Sequence, residues 1–179
     1  MCTGTILEAV LKEISTTHPS LPSKQRFKLP KRLFRSLSPS KGAGGIDAGV
    51  QRFVEYLFQH CPGPDPNSHD GYALVRAVQA RNIPIIQLLL IHGANPEKRE
   101  NLAVMLAIQS KELSLVKLLV ERDERRKSSG SGKRRKLGDR VVVTAAMLTV
   151  AVKNQATDIA EWLMQEKSCV PDMQTLMSL

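Results

Sequence analysis

Apolar residues recur every three or four positions along residues 70–96, which is the spacing of a helix with one buried face. The first such segment covers residues 74–78 and the second covers 85–90, with a polar break at Arg81 between them. Gly93 follows the second segment and can adopt the left-handed conformation that ends a helix. The pattern therefore predicts a pair of antiparallel helices, which cannot bury its apolar face without neighbours.

The same hairpin pattern recurs along the chain. A shift of 30 residues aligns 88–90 with 118–120, and a further shift of 44 aligns the latter with Trp162 and Leu163. The difference between the two shifts corresponds to an insertion of 14 residues. Upstream, residues 53–60 match the second helix of the first hairpin as half of a copy. Repeated hairpins of this kind are expected to stack and share a continuous core.

A unit of about 33 residues, made of helix, turn, helix and a further turn, is typical of the ankyrin repeat. The string I-I-x-L-L-L-x-x-G-A-N is the most specific part of the likeness, and from about residue 48 onward the chain resembles that family. Tyr72-Ala73-Leu74-Val75 replaces the family's T-P-L-H opening, and Arg81, Lys111 and Gln155 replace the usual glycine between the helices. These departures are expected to affect the hairpin turns that project between repeats, called fingers, and the hydrogen bonds between repeats. The helix pairs are not expected to be affected.

The resemblance implies an all-α solenoid of short helical hairpins over residues 46–179, with about three full repeats and degenerate caps. Residues 46–58 align only with the second helix of a repeat, because the glycine-rich stretch before them is not expected to form the first. Residues 170–179 are expected to begin a truncated fourth unit that covers the end of the stack. Trp162 stands at a leucine position of the other copies and is predicted to fill the core.

The net charge of +9 is concentrated in two segments of the 179-residue chain. Residues 1–45 carry +6 and residues 123–140 carry +5, whereas 46–122 are neutral and 141–179 carry −2. The repeats themselves are therefore neutral to acidic, and a basic face that grips DNA is not expected on them.

The first basic segment is predicted to be an amphipathic helix followed by a disordered leader. Residues 3–15 place five aliphatic side chains on one helical face. This helix is expected either to pack on the first hairpin or to serve as a mitochondrial presequence. Acidic residues interrupt any secretory signal. From residue 16 to 45, prolines, glycines and positive charge with few apolar residues predict disorder.

Two short motifs lie within this leader. The string from Pro30 through Lys31, Arg32, Leu33 and Phe34 resembles the cyclin-docking motif, whose basic residue and Leu-Phe pair enter a groove of a cyclin. Four residues later, Ser38-Pro39-Ser40-Lys41 resembles the phosphorylation consensus of cyclin-dependent kinases, with Ser38 as the acceptor. The alternative interpretation is a solvated basic linker.

The second basic segment, residues 123–140, is predicted to be a flexible loop because serine and glycine separate two basic clusters. Its clusters resemble a nuclear localisation signal, and an import receptor is the expected partner. Contact with nucleic-acid phosphates and a simple contribution to solubility are the alternatives. The residues concerned are Arg125, Arg126, Lys127, Lys133, Arg134, Arg135 and Lys136.

The sequence carries no pattern of catalytic or cofactor chemistry. There is no glycine-rich phosphate loop, nucleophile elbow or paired-carboxylate arrangement, and the four histidines lack metal-ligand spacing with the cysteines. Cys2, Cys61 and Cys169 are odd in number and widely spaced, which fits a reducing compartment. No apolar run approaches the ~18 residues of a membrane span. We therefore expect neither an enzyme nor a membrane protein.

Two classes of function remain. The first is a protein-interaction module or adaptor, expected to be nuclear and regulatory and to be linked to cyclin-dependent kinases through the leader; cytoplasmic residence is the alternative. The second is a nucleic-acid-associated protein whose leader and loop contact phosphates, which would bind weakly because few aromatic residues accompany the basic ones. For the first class, the resemblance implies a partner-binding groove lined by Arg76, Gln79, Gln109, Lys153 and Asn154.

Overall fold

The computed structural model describes residues 27–35, 37, 46–61, 63–121 and 139–172. Two short strands pair in parallel, β1 (Phe27–Lys28) with β2 (Pro64–Asp65). The helices of the described part are, in chain order, α1 (Lys31–Arg35), α2 (Ile46–His60), α3 (Ser68–Gln79), α4 (Ile83–Ile91), α5 (Lys98–Gln109), α6 (Leu113–Val120), α7 (Ala145–Lys153) and α8 (Thr157–Gln165).

Helix α4 shows how the local sequence sets the start and the end of these helices. The side chain of Asn82 caps its first turn, where Oδ1 accepts a hydrogen bond from the Ile85 N–H at 3.2 Å. Pro84 lies in that turn, where a missing N–H costs nothing. The helix ends before Gly93, whose φ of 88° is left-handed, and Leu89 in its middle is fully buried.

The helices form two layers. Helices α1, α3, α5 and α7 pack one on the next and are here called the first-helix layer. Helices α2, α4, α6 and α8 pack in the same order as the second-helix layer, and the core lies between the layers. Each helix from α3 onward also packs against its hairpin partner, so the three predicted hairpins and the all-α solenoid are confirmed.

The position between the two helices of each hairpin has the same unusual backbone conformation in all three repeats. Arg81, Lys111 and Gln155 have φ of 51°, 57° and 54°, which is the left-handed region. An L-residue with a Cβ atom adopts this region at a cost of roughly 1–2 kcal/mol, whereas glycine does so freely. The fold therefore keeps the geometry of the family's glycine even though this chain lacks it.

The connections between repeats use left-handed turns and side-chain bridges. Arg99, Glu100 and Asn101 have φ between 54° and 62°, and the preceding repeat has the same kind of turn at residues 69–71. Asn67 joins the two units, because its Nδ2 donates to the Gly93 carbonyl at 2.9 Å and its Oδ1 accepts from a backbone N–H of the next loop at 2.7 Å.

The leader contributes to the folded unit, which corrects the boundary predicted at residue 45 for its described part. Leu29, Phe34 and Leu37 are buried in the same core as the repeats. The Leu29 N–H donates to Oγ of Ser68 at 3.1 Å, and α1 packs against α3. The N-terminal unit thus has a helix in the first-helix layer, although the sequence predicted only a second helix for it. The other residues of the leader, including 3–15, lie outside the described part.

The two ends of the basic insertion lie close together. Residues 122–138 are outside the described part, but the Arg140 N–H donates to the Val120 carbonyl at 2.7 Å. Lys167 Nζ lies 3.2 Å from Glu121 Oε1 and 3.0 Å from Asp139 Oδ1, and so bridges the two flanks. Burial lowers the pKa of Lys167, but its hydrogen bonds and charge interactions with these two carboxylates outweigh that effect and raise it.

Trp162 is 6% exposed and belongs to the core, as predicted. The Nζ atoms of Lys117 and Lys167 lie 5.7 and 5.1 Å from the centre of its ring, which are cation–π distances. Beyond α8, residues 168–172 are irregular, and the predicted fourth unit falls mostly on residues 173–179, outside the described part.

Candidate functional site

The first-helix layer presents one face to solvent in equivalent positions of each repeat. Tyr72 and Arg76 are half-buried on α3, as are Leu102 and Leu106 on α5. On α7, the corresponding residue Val150 is also half-buried. Because residues three and four apart share one side of a helix, these positions form a continuous strip across the stack. We call this strip the first-layer face.

Three of the residues predicted to line the groove are exposed at one end of this face. Gln79, Gln109 and Lys153 occupy the last helical position of α3, α5 and α7, and all three side chains are exposed. Asn154 differs, because its Nδ2 donates to the Val150 carbonyl at 2.8 Å and thereby caps α7. Its side chain is half-buried and is engaged within the protein.

Arg76 is held in place by two hydrogen bonds. Its Nη1 donates to Oε1 of Gln79 at 2.8 Å, and its Nη2 donates to the Arg35 carbonyl at 3.1 Å. The second bond satisfies a carbonyl at the end of α1, which has no partner within so short a helix. Arg76, which was predicted to line the groove, therefore also fastens the leader to the repeats, a contact that no sequence pattern indicates.

Helix α1 extends the first-layer face beyond the three repeats. Lys31 Nζ lies 5.8 Å from the centre of the Tyr72 ring, and Arg35 lies one helical turn from Lys31. Both side chains are exposed, as is that of Arg32. Basic residues of the leader therefore adjoin Tyr72 and Arg76 on the same side of the stack.

The four residues of the cyclin-docking motif all belong to α1. Lys31 and Arg32 are exposed and Leu33 is half-buried, but Phe34 is 1% exposed and packs in the core. Phe34 cannot enter the groove of another protein unless α1 leaves α3. Cyclin docking therefore stays a prediction that requires detachment of the segment, and its acceptor Ser38 lies outside the described residues.

The residues of the suspected nuclear localisation signal lie outside the described part as well. The structure brings only their flanks, Glu121 and Asp139, to one place on the surface. The localisation signal and its import receptor remain predictions.

The described residues contain no group of three or more histidine, cysteine or acidic side chains that could hold a metal ion. Cys61 and Cys169 are free and half-buried, and burial raises the pKa of the Cys169 thiol, which makes it a poorer nucleophile at neutral pH. In the same part of the chain, no helix is both long enough and apolar enough to cross a membrane.

A family model described as ankyrin repeats (3 copies) matches residues 46–131 and 74–175, and these two matches together span well over half of the chain. The chain belongs to the ankyrin-repeat family. No curated protein and no solved structure matches it. Ankyrin repeats form protein–protein interaction modules, and the family is in general a non-enzymatic scaffold. The first-layer face is therefore the candidate site for a protein partner.

Proposed function

We propose that this ankyrin-repeat chain is a non-enzymatic adaptor that binds an extended segment of another protein across its first-layer face. One observation carries the proposal: partly exposed side chains recur in register on α3, α5 and α7, so a single segment can contact every repeat. A stack of repeats offers an extended surface of this kind.

Site-specific photo-crosslinking in cells tests this proposal. A photoreactive amino acid at Gln79 or Gln109 lies on the first-helix layer, and the same substitution at Gln87 or Gln165 lies on the second. All four side chains are exposed glutamines, so the substitutions are matched in chemistry and in accessibility. We expect discrete adducts with another protein from Gln79 and Gln109 only. Adducts confined to Gln87 and Gln165 would contradict the proposal.

We also propose that the adaptor acts in the nucleus and that its basic insertion is read by an import receptor. The support is the pair of basic clusters, together with the closeness of the insertion's flanks, which leaves the repeats intact on either side. Replacing residues 133–136 by alanine is expected to move a fluorescent fusion from nucleus to cytoplasm. The control replaces Lys98, Lys111 and Lys153, which are exposed on the repeats. Unchanged nuclear accumulation of the first variant would contradict the import proposal.

The regulatory part of the proposal, a cyclin–kinase link, depends on detachment of α1. A peptide of residues 24–45 exposes Leu33 and Phe34, whereas the folded chain buries Phe34. If the motif is used, a purified cyclin–kinase complex should phosphorylate Ser38 faster in the peptide than in the full chain. Alanine at Leu33 and Phe34 should slow the reaction in the peptide several-fold, because docking raises the effective concentration of the kinase at Ser38. Equal rates for the two peptides would exclude docking.

A further inference from the structure

Charge is divided between the two helix layers. Asp70 and Glu100 lie in the left-handed turns at the start of α3 and α5. Outside these turns, that is on α1, on α3 from Tyr72, on α5 from Leu102 and on α7, the first layer carries five basic residues and no acidic one. The basic residues are Lys31, Arg32, Arg35, Arg76 and Lys153. The second-helix layer instead carries acidic residues on α2 and α8, Glu55, Asp158 and Glu161 among them. Three of the five basic residues belong to α1, so the positive charge of the first layer comes mainly from the leader rather than from the near-neutral repeats.

The first-layer charge is concentrated at the N-terminal end of the stack. Four of the five basic residues lie on α1 and α3, where the Arg76 guanidinium is already oriented by its hydrogen bonds to Gln79 and Arg35. Among the described residues, no carboxylate pairs with Lys31, Arg32 or Arg35. These cations are therefore available to an acidic ligand.

At the positions equivalent to Tyr72 and Arg76, α5 and α7 carry aliphatic residues. In place of Tyr72 and Arg76, helix α5 has Leu102 and Leu106, and α7 has Ala146 and Val150. All four residues keep some exposure to solvent. The face thus changes from cationic on α1 and α3 to aliphatic on α5 and α7.

We propose that the first-layer face binds an extended peptide segment with acidic residues at one end and apolar residues at the other. The acidic end lies over α1 and α3, where arginine pairs with carboxylates in a planar, charge-assisted geometry. The apolar end covers Leu102, Leu106 and Val150 and removes them from water. This inference rests on the adaptor function proposed above and adds the chemistry of its partner.

The two-part character of the face distinguishes this ligand from a nucleic acid. A phosphate backbone repeats its charge along its whole length, and it gains nothing from the aliphatic half of the face. Single-stranded nucleic acid also needs aromatic platforms for its bases, and Tyr72 is the one aromatic residue on this described face.

The length of the face sets the length of the peptide. Four helices spaced by roughly 10 Å are spanned by about nine extended residues, so a short linear segment is long enough.

The proposal is tested by selecting binders of the full chain from a phage-displayed library of random peptides. The peptides have about twelve residues, a length that spans the face. We expect the selected peptides to combine a cluster of Asp or Glu with two or three large apolar residues. In fluorescence anisotropy at about 0.15 M salt, the double variant Lys31→Glu/Arg35→Glu should weaken their binding by about tenfold or more. The matched control Arg52→Glu reverses an exposed charge on α2 in the second layer and should change the Kd less than about twofold.

Each other outcome overturns the inference in an identifiable way. Selected peptides without acidic residues, or acidic peptides that the double variant binds equally well, reject the partner chemistry; adducts from Gln109 would still support the adaptor function. Failure to select any peptide rejects the inference too. A labelled DNA duplex or single-stranded RNA that binds more tightly than the best peptide, and is lost in the double variant, would assign the cations to nucleic acid. A thermal melt of each variant establishes that it is folded.

Discussion

The N-terminal unit and the middle repeat reach the same architecture with very different amounts of sequence. Helix α5 of the middle repeat continues from Leu102 to Gln109 beyond its left-handed turn and lies between α3 and α7, with Ala103, Val104, Ala107 and Ile108 buried. Helix α1 spans five residues, packs against α3 on one side, and buries Phe34. A helix this short is not stable by itself, so α1 depends on its tertiary contacts.

The two ends of the first-layer face are therefore not expected to be equally stable. The leader is held by the pairing of β1 with β2, by the Leu29–Ser68 and Arg76–Arg35 hydrogen bonds, and by the burial of Leu29, Phe34 and Leu37. Local opening of the leader breaks contacts at one end of the stack, whereas opening of the middle repeat exposes a core shared with both neighbours. We therefore expect the cationic end of the face to detach more easily than the middle repeat opens.

The largest loss of stability is expected from a core substitution in the repeats. Leu89 is fully buried in α4, so Leu89→Ala should lower the free energy of unfolding by about 2–5 kcal/mol through lost transfer energy and the cavity left behind. Denaturant melts measure this loss, with the exposed Gln87→Ala on the same helix as control. A loss below about 0.5 kcal/mol, the range of ordinary surface changes, would contradict the assignment of Leu89 to the core.

A smaller loss in the free energy of global unfolding is expected from a core substitution in the leader. Phe34→Ala should lower the free energy of unfolding by about 1–2 kcal/mol, less than a core phenylalanine normally contributes, because α1 can detach while the repeats stay folded. Hydrogen exchange should show lost protection across residues 27–35 and unchanged protection in α5. Equal loss of protection in both regions would mean that the leader and the repeats open as one unit.

The repeats were predictable because their pattern is long and occurs three times. The spacing of apolar residues in 70–96 identified both helices, and the copies at 30 and 44 residues confirmed the period. The signal for α1 was present as well, since Leu33, Phe34 and Leu37 have helical spacing. Prolines, glycines and basic residues surround that short signal, and composition therefore favoured disorder. The neighbouring helix α3 packs against the segment and supplies apolar surface that the local sequence lacks.

The candidate site was predictable in outline but not in its details. Gln79, Gln109 and Lys153 are exposed on the predicted helices because helical register alone sets their direction. The roles of Arg76 and Asn154 depend on hydrogen bonds to backbone carbonyls that register does not reveal. The cationic end of the face was missed for the same reason as α1, because its residues come from a segment that was not expected to fold.

A moderate gain in stability is expected at the positions between helices. Lys111→Gly should raise the free energy of unfolding by about 0.5–1 kcal/mol, because glycine adopts the left-handed conformation without strain. Arg81→Gly should gain less, because it removes the ion pair with Glu112 at 3.1 Å. The opposite change, Gly93→Ala at φ 88°, should destabilise. A loss of stability in Lys111→Gly would contradict the strained backbone.

The smallest effect is expected where Lys167 bridges the flanks of the insertion. Lys167→Met should cost about 0.5 kcal/mol at low salt and less at high salt, because screening weakens the pairs with Glu121 and Asp139. Since the folded-state pKa of Lys167 is raised above 10.5, the difference between the two proteins should persist at neutral pH and vanish only above that value. Thermal melts over salt and pH series measure it, and a difference that grows with salt would contradict the ionic origin.

The position of α1 is the central claim, because both the cationic end of the face and the stability comparison depend on it. Amide hydrogen exchange by NMR on the full chain tests it most directly at Leu29, whose N–H is bound by the buried Ser68 hydroxyl. We predict a protected Leu29 amide that loses its protection in Ser68→Ala and keeps it in Ser114→Ala, which alters an exposed serine of α6. Random-coil chemical shifts and unprotected amides for residues 27–35 in the unaltered protein would contradict the claim.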